Sequence, residues 1–289
     1  MKQFFQLQLM RRALGCTTAC GLAAAMLMSC GGQSSGSAPD NGPGQNGGGG
    51  GGAPSLAMAG AYQGTAAGSS SEFVSFVTPD LHWYLLYALQ ASDPHVYPII
   101  FTGLVQTPVS TAAAITTVKA FQFQDTLRSG SATVSGSSGA AHTLATSGLS
   151  IPTLNASPQF TAATMATTGD AHGTWVGTWA DGLDGSIHLN TALTLSGTAP
   201  NPSTAQTSYG LCTGIALTLT PATDAGTAPY FGAMADIPAV TGCQRNPAAG
   251  PAKRLTGIAF IHAPSVGVKR LEIILTDSTG SGISFRGDQ

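Results

Sequence analysis

The chain has 289 residues, with 11 basic and 13 acidic side chains, so only 8% of it is charged. An ordinary soluble domain carries ~25% charge. With 38 glycines and few helix formers, this composition excludes a coiled coil, a charged helical bundle and a basic nucleic-acid binder.

Residues 1–12 hold Lys2, Arg11 and Arg12 and no acid, and residues 13–29 hold no charge. A basic segment followed by a short apolar one reads as a secretory signal peptide. Seventeen uncharged residues that include Gly15, Thr17, Thr18 and Gly21 make a poor permanent span, which wants about 20 strongly apolar ones.

The segment ends Leu27-Met28-Ser29-Cys30. It resembles the lipobox of bacterial lipoproteins: an aliphatic residue, a small residue just before the cut, then Cys. The resemblance implies cleavage before Cys30 and a diacylglyceryl thioether on its sulfur, with 1–29 as the leader. Several acyl chains hold where a single one does not, at ~0.8 kcal/mol per buried CH₂. Gly31 in the next position resembles the outer-membrane default of Gram-negative lipoproteins. Cleavage deletes three basic residues and no acid, leaving 8 against 13 and a net charge of −5. That balance argues against phosphate-backbone partners.

Residues 31–57 are rich in Gly, Ser, Asn and Pro, with six glycines at Gly47–Gly52. Such a segment buries no core and reads as a flexible tether spanning ~25–30 Å. From Met58 the pattern becomes short runs of Thr, Val, Ile and aromatics between turn residues, the signature of antiparallel β structure. Leu81 to Leu89 is apolar on nearly both faces. Tyr97–Val105 and Ile115–Phe123 are further strand candidates. Ile187, Leu189, Leu193 and Leu195 are expected on one face, with His188, Asn190 and Thr194 on the other. Ile215, Leu217 and Leu219 oppose Thr218 and Thr220. Leu271, Ile273 and Leu275 oppose Arg270, Glu272 and Thr276. Roughly fifteen strands at about 10–15-residue spacing predict an all-β meander, sandwich or barrel.

Gly60-Ala61-Tyr62-Gln63-Gly64-Thr65 is echoed 113 residues later by Gly173-Thr174-Trp175-Val176-Gly177-Thr178. The echo predicts two subdomains: an N-terminal β subdomain over 58–170 and a C-terminal, eight-stranded barrel-like one over 171–289. A single large sandwich is the competing arrangement.

Once Cys16 and Cys20 leave with the leader and Cys30 carries lipid, Cys212 and Cys243 remain. In an oxidising compartment an even pair predicts a disulfide. Strands over 213–220 and 229–237 with a turn at 222–227 would form a hairpin whose far ends meet.

Chemistry is sparse. Gly32-Gln33-Ser34-Ser35-Gly36 has the spacing of a nucleophile elbow but lacks the strand and helix that motif needs. The six histidines (82, 95, 142, 172, 188 and 262) fall at no metal-ligand spacing, although strands could bring His172 and His188 together. Asp170, Asp181 and Asp184 match no calcium loop. No catalytic residue, metal ligand or cofactor is therefore assigned. Trp175 and Trp179, four apart on a strand, share a face and are candidate ligand-lining residues; core packing is the alternative. Arg286-Gly287-Asp288 is an integrin-type tripeptide, read here as a chance occurrence.

The Gly-x-Trp opening with Trp175, the late Arg286 and the compact second half resemble the lipocalin barrel, which implies a Trp packed beneath a late-strand Arg. Arg286 alternates against Ile283 and Phe285, which places it outward. The whole plan is similar to Gram-negative surface lipoproteins of the transferrin-binding and factor H-binding type. That resemblance implies an outer-membrane lipoprotein, surface- or periplasm-facing, acting as a non-catalytic binding or adhesion module. Its partners would be the membrane through the anchor, and a protein or a small apolar ligand. A structural part of the envelope and an envelope hydrolase with an Asp/His site are the alternatives.

Overall fold

A computed structural model describes residues 59–66, 72–88, 99–106, 112–121, 128–136, 142–147, 159–164, 167–181, 187–198, 200–222, 229–240, 243, 252–278 and 281–289. The expected leader, Cys30 and the expected tether lie outside the described residues.

Every regular element among the described residues is a strand. The first eight are β1 (Gly60–Ala66), β2 (Glu72–Val77), β3 (His82–Ala88), β4 (Ile99–Val105), β5 (Ala112–Phe121), β6 (Arg128–Gly136), β7 (His142–Ser147) and β8 (Gln159–Thr164). Each pairs antiparallel with the next, and β8 returns to β1, closing an up-and-down barrel. Closure leaves no unpaired strand edge. Phe73, Trp83, Leu85, Tyr87, Phe101 and Ile115 are among the residues that fill it. The Trp83 indole N–H donates to Ser75 Oγ at 2.8 Å, so the buried ring is satisfied within the wall.

The second set is β9 (Thr167–Thr168), β10 (Gly173–Asp181), β11 (Ile187–Leu195), β12 (Ser203–Tyr209), β13 (Cys212–Pro221), β14 (Phe231–Ile237), β15 (Lys253–Ser265), β16 (Val268–Thr276) and β17 (Gly282–Asp288). Strands β10 to β17 form an eight-stranded meander that returns from β17 to β10. Short β9 pairs with the end of β15. This second barrel is nearly closed: β11 and β12 share a single bridge, Ser196–Thr204, with two backbone hydrogen bonds of 2.8 Å. The two echoed Gly-x-aromatic-x-Gly-Thr segments are β1 and β10, the strands that open the eight-stranded meanders.

Alternation in β13 and β16 follows the pattern expected from sequence: Ile215, Leu217 and Leu219, and Leu271, Ile273 and Leu275, point into the barrel core. Strand β11 departs from it. The pairing register slips between Gly177 and Trp179, and Asn190 takes a φ of 54°, a left-handed conformation that Asn tolerates. The bulge switches faces part-way along the strand. His188 therefore packs on Tyr209, and Leu189 is 44% exposed rather than sharing the face of Leu193.

A third cluster joins the outer faces of the two barrels. Val74, Phe76, Leu86 and Ile100 of the first meet Ala180, Ile258, Phe260 and Ile274 of the second. Phe76 contacts Tyr230 and Phe260, with ring centroids 5.0 and 5.2 Å apart. This contact explains why β3 is apolar on nearly both faces: Trp83, Leu85 and Tyr87 line their own barrel, and Tyr84 and Leu86 meet the neighbour.

Candidate functional site

The disulfide forms as expected. Cys212 and Cys243 are bonded, both fully buried, with Cα atoms 4.3 Å apart. Cys212 opens β13 directly opposite Tyr209, the last residue of β12. The bridge thus ties the segment after β14 to the end of the Gly210–Leu211 turn that follows Tyr209. A loop of this length is worth ~3–4 kcal/mol of chain entropy.

Trp175 and Trp179 both lie in the interior of the second barrel and are fully buried. Trp175 donates its indole N–H to the Ala171 carbonyl at 2.9 Å. Trp179 stacks with Tyr209 and Phe285 at centroid distances of 5.3 and 4.9 Å. Trp179 stands on β10 and Tyr209 on β12, so this pair reaches across β11. His188 adds a second ring, 5.2 Å from Tyr209. At the end of the barrel near the disulfide, β11 and β12 are therefore held by stacked side chains, not by backbone pairing.

The clasp implied by the lipocalin resemblance does not form. Trp175 belongs to the interior cluster, while Arg286 leaves the other face of β17 and binds Glu272. His172 and His188 are not brought together either. The β10–β11 hairpin sets Gly173 opposite Leu195 and Trp179 opposite His188, so the two histidines sit at opposite ends of β11.

Sequence reasoning missed a buried charged cluster among the described residues. On the outer face of β15, β16 and β17, Glu272 is fully buried, and His262 is 3% exposed. His262 Nε2 lies 3.2 Å from Glu272 Oε1, and Arg286 Nε lies 2.9 Å from the same oxygen. Beside them Arg270 holds Asp288 with two bonds of 2.6 and 2.8 Å. Burial pushes the Glu272 carboxyl up, but the Arg286 charge and the His262 contact outweigh it and hold its pKa below the ordinary value. The hydrogen bonds from Arg270 dominate at Asp288 and lower its carboxyl as well. The signal available in sequence was Glu272 on the same strand face as Arg270, two residues away on β16, with Arg286 opposite it on β17. Alternation alone assigned that face to solvent.

Chemically the cluster is a closed ion network. His262 and Glu272 have the geometry of an acid–base pair, yet neither meets solvent enough to receive a substrate. The tripeptide Arg286-Gly287-Asp288 is part of this network. It lies within β17, with Arg286 on Glu272 and Asp288 on Arg270, so both charged ends are engaged.

Among the described residues no group of three or more His, Cys, Asp or Glu could hold a metal ion. No family model matches the chain, and no curated protein and no solved structure matches it.

Proposed function

We propose that the protein is an outer-membrane lipoprotein, anchored through Cys30, whose two barrels act as a non-catalytic binding module on a flexible tether. The observation that carries this reading is the β11–β12 seam. It is a place where an otherwise hydrogen-bonded barrel is closed by aromatic rings, and so can open without breaking a strand ladder. The leader and the glycine run supply the anchor and the reach. The charged cluster at His262, Glu272 and Arg286 supports the same reading, because its burial suits it to pinning strands together rather than to turnover.

Replacing the anchoring thiol tests the first half. Cys30→Ala is expected to release the protein from membranes or to leave the precursor uncut. Mature-length chain that still sediments with membranes overturns the anchor. Protease added to intact cells then separates surface display from a periplasmic face: a displayed chain is cut inside 31–57, and a periplasmic one survives until the envelope is opened.

A further inference from the structure

The end of the second barrel near the disulfide holds two buried hydrogen-bond donors that the chain does not match. Trp179 is fully buried and its indole N–H has no acceptor. Thr207, 8% exposed, keeps its Oγ1 unpartnered as well. The other two indoles differ, since Trp83 and Trp175 each have an acceptor within 2.9 Å. A buried donor left unmade has given up its water without a replacement, and native folds satisfy nearly all of them.

The position of these two donors gives the exception a meaning. Trp179 is on β10 and Thr207 on β12, the strands that flank β11 and its seam. Both point inward, Thr207 in line with Ser203, Ala205 and Tyr209 on β12. Backbone pairing between β11 and β12 is confined to Ser196–Thr204, and stacked rings do the closing beyond it. Ring contacts can be exchanged for contacts with another flat molecule at little cost, because aromatic stacking tolerates any partner with a π face.

We propose that the corner formed by Trp179, Tyr209 and Thr207 binds a small, flat, uncharged molecule bearing a hydrogen-bond acceptor such as a ring carbonyl, admitted through the β11–β12 seam. The proposal rests on the binding-module reading and names a ligand class for it. Stacked aromatic rings select flatness. An indole N–H can only donate, so the ligand must accept. Ser203, Ala205 and Thr207 keep the β12 side of the interior small. Neutrality follows from the lining: among the described residues the barrel's buried carboxylate, Glu272, lies on the outer face with Arg286, and the interior side chains at the corner carry no fixed charge, His188 being a ring stacked on Tyr209. A ligand with a fixed charge would find no fixed counter-ion there.

The test uses two probes of similar shape: coumarin, which carries a ring carbonyl, and naphthalene, which carries no acceptor. The full chain, labelled with ¹⁵N, gives three indole N–H resonances, assigned with Trp→Phe variants. Coumarin is expected to move the Trp179 resonance downfield while those of Trp83 and Trp175 stay in place. Naphthalene at matched concentration should bind about tenfold more weakly, and Thr207→Val should weaken coumarin about fivefold, the loss of one hydrogen bond of ~1 kcal/mol. A Trp179 resonance that coumarin leaves unmoved overturns the proposal. Equal shifts from naphthalene do so too, as does a long-lived water that contacts the Trp179 N–H and that coumarin fails to displace. Any of these results combined with release of Cys30→Ala from membranes removes the ligand class and leaves the anchored module standing.

Discussion

Glu272 shows what one buried carboxylate demands. Taking it out of water disfavours its charge, and Arg286 and His262 more than restore it. Its folded pKa therefore lies below the unfolded value of ~4.3. The stability this contributes is fully present above that unfolded value and is lost as pH falls through the folded pKa. Asp288, held low by Arg270, adds to the same trend. The urea midpoint should hold steady near neutrality and drop on acidification below about pH 4.5. Glu272→Gln should lower stability at pH 7 by about 3 kcal/mol, since it leaves the Arg286 charge without its partner. The variant should also lose less on acidification, because one of the carboxylates held low in the folded chain is gone. A variant as acid-sensitive as the parent would show that Glu272 is not linked to folding in this way.

At the scale of single strands, the second barrel is uneven. In the closed first barrel every strand has two hydrogen-bonded neighbours. In the second, β11 is paired along one edge with β10, and β12 along one edge with β13. Amide hydrogen exchange should therefore be fastest in the second barrel at alternate residues of β11 and β12, those whose N–H points into the seam. The corresponding residues of β1 and β8 should be protected. Reducing Cys212–Cys243 should speed exchange further around Tyr209, because the bridge anchors the turn opposite it. Uniform protection across β10 to β13 would contradict an open seam. This unevenness marks the limit of what could be read in advance. Period-two alternation made β13, β16 and the 213–237 hairpin legible, and the hairpin in turn brought the two cysteines within reach. The β11 bulge was not legible, since a left-handed Asn190 and a slip at Gly177–Trp179 leave the residue types unchanged while reversing the face of Leu189. Trp179 could be placed on a buried face, but whether its N–H found an acceptor depends on strands far off in sequence. The Glu272 cluster was hidden for a related reason: alternation says which side of a sheet a residue takes, not what covers that side.

At the scale of the whole molecule, cover of that kind comes from the contact between barrels. A barrel that stood alone would present polar outer faces. Here β2 is buried on both faces from Phe73 to Val77, and β15 and β16 bury Ile258, Phe260 and Ile274 on their outer side. Phe76 and Phe260 meet across this boundary, one from each barrel, 5.2 Å between ring centroids. Each is fully buried, so Phe76→Ala or Phe260→Ala should cost about 3–5 kcal/mol through lost area and a residual cavity. Either loss alone is ambiguous, because any core phenylalanine behaves this way. The combination is not ambiguous. If the rings act on each other across the boundary, the double variant should lose less than the two single losses added, by about 0.5–1.5 kcal/mol, the range for an aromatic pair. Calorimetry should also show the single transition of the parent separating into two as the boundary weakens, since each barrel retains its own interior cluster. Strict additivity together with an unsplit transition would mean that the two barrels do not stabilise each other through this face.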